Sequence, residues 1–241
     1  GEDWLFEPKY DGIRVLALAT TGSVALVTRN GLDKARQFPE IVDALEELVK
    51  ESGVPVVLDG EIVGLEDGKI VRFESLQGRM HVQDGAKVRQ HSESTPAALV
   101  AFDILLKGTE PLIGEAWEDR REELEELLEG RDSKALRLSE FTSDQRGLAK
   151  RAEREGWEGI MAKRRDARYR PGQRSNDWVK VKLENRQEFV VGGWTEPRKT
   201  RVYLGAILLG YYDASGDLIY AGHTGTGFTG NERVPAWNPA A

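Results

Sequence analysis

Short runs rich in Val, Ile, Leu and Ala recur at 13–19, 23–28, 55–63, 97–105, 158–163 and 178–183, with turn residues between them. Helical periodicity interrupts them at irregular intervals, over 39–51, 116–129 and 144–155. Regular strand–helix alternation would imply a parallel sheet, whereas this uneven mixture predicts an α+β fold. The first helix opens on Phe38-Pro39, where proline suits a helix start, and the last follows Thr142-Ser143, a cap before Asp144. Near 183–186 the pattern changes. Beyond it the chain is almost all strand-like, at 188–194, 204–213 and 218–221, divided by Gly and Asn turns. We therefore expect one domain over 1–185 and a second, all-β module over 186–241. The remaining length is short for a closed five-stranded barrel, so the second module is expected to be incomplete. Residues 231–241 have no periodicity and read as a tail.

Composition narrows the function classes. The chain has 241 residues, 39% of them hydrophobic and 31% charged, as in ordinary globular proteins. There is no apolar run near the ~18 residues that span a bilayer, and no signal-peptide layout at the start. Cysteine is absent, which removes disulfides and thiolate metal sites, and the three histidines are far apart in sequence. These features predict a cytoplasmic protein. Net charge is −7, but the charges are segregated. Residues 115–130 hold eight acids against Arg120 and Arg121, while residues 163–182 hold eight bases against Asp166 and Asp177. Such separation allows a basic binding face on an acidic body. The acidic stretch, with leucines at 124, 127 and 128, reads as an amphipathic helix with a solvated face.

Residues 7–14, Glu-Pro-Lys-Tyr-Asp-Gly-Ile-Arg, place Lys9 after a proline and before Asp11-Gly12, a tight-turn signal. Two readings stand. Lys9 is a solvated lysine before a hairpin turn, or it is a nucleophile whose neutral amine is favoured by desolvation or nearby positive charge. Five other segments carry polar residues that a core strand does not need. TRNG (28–31) is a hairpin turn that leaves Arg29 free for a phosphate. In DGEIV (59–63) a turn accounts for Asp59-Gly60, but Glu61 beside Ile62-Val63 calls for a partner. In AFDIL (101–105) Phe102 is either core or a platform for a base. EGIMAK (158–163) is a strand with charge at both ends. WVKVK (178–182) puts Lys180 and Lys182 on one strand face, where an anion such as phosphate would relieve their repulsion.

In this order, KYDGIR, TRNG, DGEIV, AFDIL, EGIMAK and WVKVK closely resemble the motifs of covalent nucleotidyltransferases, and among them the ATP-dependent DNA ligases. The octapeptide at 7–14, YRPGQRS (169–175) and GTGF (225–228) look most like the ligase module of bacterial end-joining ligases. The resemblance covers residues 1 to about 228. It implies a nucleotidyltransferase (adenylation) domain of antiparallel sheets with flanking helices, followed by an oligonucleotide-binding (OB) barrel. By resemblance, Lys9 attacks the α-phosphorus of ATP to give lysyl-AMP and pyrophosphate. AMP then passes to a 5′-phosphate of nicked DNA, and the 3′-hydroxyl seals the strand. Glu61 contacts the ribose or a Mg²⁺ or Mn²⁺ ion, and Glu158 helps bind that cation. Phe102 and Met161 sandwich the adenine, and the backbone around Glu7 faces its edge. Lys180 and Lys182 hold the α-phosphate, while Arg14, Arg29 and Arg174 contact phosphates of the nucleotide or the nick.

Ligases of this type commonly work with Ku and with fused polymerase or nuclease modules. Complete members continue through the OB barrel to a basic motif that orients pyrophosphate, and no such motif follows Phe228. The resemblance thus implies poor self-adenylation by the chain as given. RNA ligases and mRNA capping guanylyltransferases share the lysine motif, and a non-catalytic nucleic-acid-binding module is the reading from a different class.

Overall fold

The computed structural model describes residues 3–82, 84–131, 133–173, 175–182, 188–196 and 205–225. Arg174, the boundary at 183–186, Leu204, residues 226–228 of the GTGF segment and the 231–241 tail lie outside them. Two compact units are present, within residues 1–183 and 184–241.

The first unit runs β1 (Trp4–Pro8), β2 (Ile13–Thr20), β3 (Ser23–Thr28), α1 (Pro39–Ser52), β4 (Val56–Glu66) and β5 (Lys69–Val71). It continues through α2 (Gly85–Ser94), β6 (Ala97–Lys107), β7 (Glu110–Pro111), α3 (Trp117–Leu128) and β8 (Leu136–Leu138). It closes with α4 (Gln145–Glu155), β9 (Gly159–Arg164) and β10 (Trp178–Lys182). Every predicted strand run and helix of this unit is present. Strand β1, the short strands β5, β7 and β8, and α2 were not anticipated.

These strands form two sheets. The larger has the order β3-β2-β4-β6-β7, with β5 on β4 and β8 on β6; β8 pairs parallel and the others antiparallel. Strand β2 shows why it folds this way. Ile13, Val15, Ala17 and Ala19 alternate inward to the core, and Arg14 takes the opposite face. The main core joins these residues to Ile41, Leu45 and Leu48 of α1 and Leu124, Leu127 and Leu128 of α3. The smaller sheet, β1-β9-β10, is antiparallel. One of its faces, with Phe6, Ile160 and Ala162, packs on Leu148 and Ala152 of α4.

Three local readings need correction. Asp59-Gly60 is not a turn but lies within β4. A Cβ on Gly60 would stand 2.7 Å from the Val100 carbonyl oxygen, so the glycine serves a close strand approach. Asp11-Gly12 makes no hairpin either; a Cβ on Gly12 would stand 2.1 Å from the Ile62 carbonyl oxygen, where the chain passes from the small sheet to the large one. Helix α4 is capped by Asp144 itself, whose side chain accepts from the Gly147 amide; Thr142 Oγ1 accepts from the Asp144 amide just outside.

The second unit contains β11 (Val190–Thr195), β12 (Ala206–Tyr212) and β13 (Leu218–Thr224) in one antiparallel sheet of that order. Asp213 Oδ1 accepts from the Ser215 and Asp217 amides and shapes the turn between β12 and β13. Among the described residues no helix is long and apolar enough to cross a membrane.

Candidate active site

The second face of the small sheet is polar, and strand periodicity accounts for it. Met161 and Lys163 on β9, and Trp178 and Lys180 on β10, share that face; Trp178 is the register partner of Lys163, and Lys180 of Met161. Opposite them stand Arg14 of β2 and Glu61 of β4, themselves register partners. The ten residues Pro8, Lys9, Tyr10, Arg14, Glu61, Phe102, Met161, Lys163, Trp178 and Lys180 enclose a cavity of about 250 Å³.

Alternation along β6 sends Ala97, Leu99 and Ala101 into the main core and Ala98, Val100 and Phe102 to the opposite face, where Phe102 meets the cavity. The strand bulges there: Asp103 pairs with Asp59 and Ala101 with Gly60, and Phe102 has no partner on β4. Its ring lies 6.4 Å edge-on from Trp178. The ambiguity over Phe102 thus resolves to a cavity-wall position.

Lys9 follows β1 directly. Its backbone amide donates to the Gly159 carbonyl at 3.0 Å, and its Nζ donates to Glu158 Oε2. Lys182 Nζ is 3.5 Å from the other oxygen of Glu158. Partial burial opposes ionisation of Glu158, but the Lys9 and Lys182 ammonium groups prevail and hold its carboxyl below the usual range. Glu61 goes the other way. Burial pushes it up to about 7, against the opposing pull of Lys9 and Arg14.

Behind the walls lies a set of buried ion pairs that sequence reasoning missed. Arg14 makes a bidentate pair with the fully buried Asp59, at 3.0 and 2.6 Å, and the Tyr169 hydroxyl donates to the same carboxylate at 2.8 Å. Lys163 Nζ is 2.6 Å from Glu7 Oε2 and sits over the rings of Trp178 at 4.3 Å and Phe102 at 4.5 Å. Arg120 forks onto Asp103 at 2.8 Å through both Nε and Nη2. The acidic helix α3 therefore turns its two arginines inward, the reverse of what its composition suggests. A period of 3.6 from Leu124 and Leu128 would have placed Arg120 and Arg121 on the buried side.

Of the residues singled out in the sequence, Lys9, Arg14, Glu61, Phe102, Met161 and Lys180 line the cavity, and Glu158 and Lys182 join it through Lys9. Glu7 does not line it; its side chain is buried on Lys163. Arg29 is exposed at the turn after β3 and does not line it either. Among the described residues no group of three or more His, Asp or Glu side chains could hold a metal alone. Glu61 fits a divalent cation that draws its other ligands from phosphate and water: burial raises its carboxyl, and a bound cation would favour the charged form. Glu158, held by Lys9 and Lys182, would be the second oxygen donor.

This arrangement predicts a metal dependence of stability. The raised value of Glu61 means that the fold favours its proton, so without a cation stability is lost as pH rises from about 4.5 through 7. We expect a loss of about 2 kcal/mol, less than the full shift implies, because the carboxyl keeps some access to water. Glu61→Gln should reduce that slope, and Mg²⁺ should raise the Tm of the parent at pH 8 but not of the variant. A parent Tm that is flat from pH 5 to 8, or insensitive to Mg²⁺, would refute the assignment.

Cations dominate the cavity: Lys9, Arg14, Lys163 and Lys180 face a single acid, Glu61, beside apolar surface from Phe102, Met161 and Trp178. Such a lining suits an anionic ligand with an aromatic part. Comparison with known proteins gives this a family. Residues 1–182 match the family described as the ATP dependent DNA ligase domain. The multifunctional non-homologous end joining protein LigD of Pseudomonas aeruginosa is 40% identical over 230 residues, 94% of this chain and 26% of its own length. DNA ligase C1 of Mycolicibacterium smegmatis is 37% identical over 236 residues, 96% of this chain and 65% of its own. The structure of mycobacterial DNA ligase D complexed with ATP and MES superposes with a TM-score of 0.60 at 33% identity, over 97% of this chain and 69% of that one. The chain spans about a quarter of the LigD relative's length. It belongs to the ATP-dependent DNA ligase family.

Proposed function

We propose that this chain is the catalytic core of an ATP-dependent DNA ligase of the end-joining type. The observation that carries the reading is the placement of Lys9: one amine at the wall of a cationic cavity with apolar faces, its backbone pinned to Gly159 and its Nζ held by Glu158. In the first step Lys9 Nζ forms a bond to the α-phosphorus of ATP and the bond to the bridging oxygen breaks. Pyrophosphate leaves, and the amine's proton goes to solvent. AMP is then transferred to a DNA 5′-phosphate, freeing Lys9, and the 3′-hydroxyl displaces AMP.

The residues supply positioning and charge more than acid–base relay, as phosphoryl transfer requires. Phe102 and Met161 offer the two apolar faces for adenine, and the Glu7 backbone, paired with Met161, borders the base. Lys180 and Lys182 neutralise the α-phosphate, and Arg14 the phosphate chain. A bound Mg²⁺ or Mn²⁺ on Glu61 and Glu158 would neutralise charge on the phosphates. Arg29, exposed, is assigned to the nicked strand, as is Arg174. The domain at 1–185 is the adenylation domain, and the sheet of the second unit is read as part of an OB fold. The relatives named for non-homologous end joining support action at DNA breaks, and Ku and polymerase or nuclease modules are the partners the family resemblance implies.

Self-adenylation is expected to be poor, so intact mass of the purified chain after incubation with ATP and Mg²⁺ should show only a minor species heavier by one AMP, reversed by pyrophosphate. The adenylated chain should seal nicked DNA in preference to nicked RNA. Absence of any adduct both in this chain and in a version continued through a complete OB barrel and its basic motif, with the protein folded, would overturn the covalent reading; preference for RNA would move the chain to the RNA-directed branch.

A further inference from the structure

Strands β4 and β6 set two carboxylates side by side in the interior. Asp59 and Asp103 are register partners, exposed by 0% and 1%. Two buried like charges on adjacent strands are tolerated only if each has its own cation. Arg14 serves Asp59 and lines the cavity. Arg120 serves Asp103 and stands outside the lining, on a helix that carries none of the six motifs.

The remaining bonds of Arg120 also lead to the cavity. Nη1 donates to the Ala167 carbonyl at 3.0 Å and to the Glu115 carbonyl at 2.7 Å. The guanidinium lies 5.8 Å from the centre of the Tyr169 ring. Tyr169 in turn donates to Asp59 and meets Trp178 edge-on at 5.9 Å. Asp103 is the next residue after Phe102, and its Oδ1 accepts from the Ile104 amide at the bulge. One side chain thus touches the bulge that presents Phe102 and the loop that presents Tyr169 to the Asp59–Arg14 pair.

We propose that Arg120 is a positioning residue for nucleotide binding. By neutralising Asp103 and tethering Ala167 it keeps Phe102 and Arg14 where they wall the cavity. Without it, an unpaired Asp103 carboxylate would sit beside Asp59 and compete for Arg14. The inference rests on reading the cavity as the nucleotide site.

The fold contains its own control. Arg79 is equally buried, forks onto Glu40 and bonds the Gln37 and Thr95 carbonyls, but none of its partners adjoins a lining residue in sequence, as Asp103 adjoins Phe102. The test is binding of α,β-methylene-ATP with Mg²⁺ to the full chain by titration calorimetry, well below the unfolding temperature of each variant. Arg120→Gln should weaken binding about tenfold, the scale of coupling between contacting residues. Asp103→Asn added to Arg120→Gln removes the stray carboxylate and should return affinity to within about threefold of the parent. Arg79→Gln should lower Tm and leave affinity unchanged. If Arg120→Gln does not fold, Arg120→Lys, which keeps the charge and loses the fork, should bind several-fold more weakly. Parental affinity in the Arg120 variants, equal weakening in Arg79→Gln, or no recovery in the folded double variant overturns the proposal. A parent that binds no probe overturns the nucleotide reading and the inference with it; a parent that binds, with undiminished variants, overturns only the inference.

Discussion

Lys9→Ala is expected to abolish the AMP adduct while leaving the fold intact. Two features set the size of the effect. Lys180 and Lys182 carry ammonium groups nearby, but both stand on β10, across β9 from β1 and Lys9, so neither occupies the position of Lys9. Loss of a positioned nucleophile costs at least ~10³-fold in the step it performs. Lys9→Arg should be as inert, because a guanidinium stays protonated and does not attack phosphorus. Stability should change little. The Lys9–Glu158 pair is 22% and 34% exposed, so solvent screens it, and Glu158 retains Lys182. The third chemical step separates nucleophile from pocket. Lys9 has completed its part once AMP is on DNA, so Lys9→Ala should still seal a nick supplied with a pre-adenylated 5′-phosphate. The checks are intact mass after ATP and gel sealing of that substrate. An adduct in Lys9→Ala would place the nucleophile elsewhere, and failure on pre-adenylated DNA would give Lys9 a role beyond carrying AMP.

Most of what makes this cavity was legible in the sequence, for a definite reason. Glu61, Met161 and Lys180 fall within apolar strand runs, so a strand could be assigned to each from the sequence, and Lys9 stood out by its place between a proline and a tight-turn signal. Phe102 resisted because an apolar residue on the face opposite the main core reads equally as core of another layer or as a cavity wall, and only its neighbours Arg14 and Trp178 tell the two apart. Asp59-Gly60 resisted because the same dipeptide serves a turn and a close strand approach, and only the Val100 carbonyl opposite tells them apart. Helix α2 resisted because Val88 is its only buried residue, and its clearest signal is Asp84 capping the amides of Ala86 and Lys87. The deepest gap concerns Asp103, Arg120, Glu7 and Lys163. Charged residues in a sequence read as solvated, and their burial follows from partners up to 156 residues away.

Lys163→Met is expected to be the most destabilising single change at the site. Lys163 and Glu7 are 1% and 2% exposed and pair at 2.6 Å. Methionine matches the lysine stem in volume and suits the rings of Phe102 and Trp178 that surround the ammonium. Packing is therefore preserved and the electrostatic loss stands alone. Glu7 is left with Arg121, whose nearest nitrogen is 3.8 Å away, beyond hydrogen-bond reach. Breaking a buried pair from one side costs ~3–5 kcal/mol, which for a chain of this size lowers Tm by about 10 °C. The pH dependence fixes the cause. Burial raises the Glu7 carboxyl even against the pull of Lys163 and Arg121, and without Lys163 it rises further. A raised folded-state value gives stability that is intact below the unfolded carboxyl range and is lost as pH climbs, so the deficit should be small at pH 4.5 and full at pH 8. Adding Glu7→Gln removes the unpaired charge and should recover most of the lost Tm at pH 8, without restoring the cation between Phe102 and Trp178. Thermal unfolding of the two variants across that range decides the matter. A deficit independent of pH, or one that Glu7→Gln does not relieve, would mean that Lys163 stabilises through its contacts with the rings and not through Glu7.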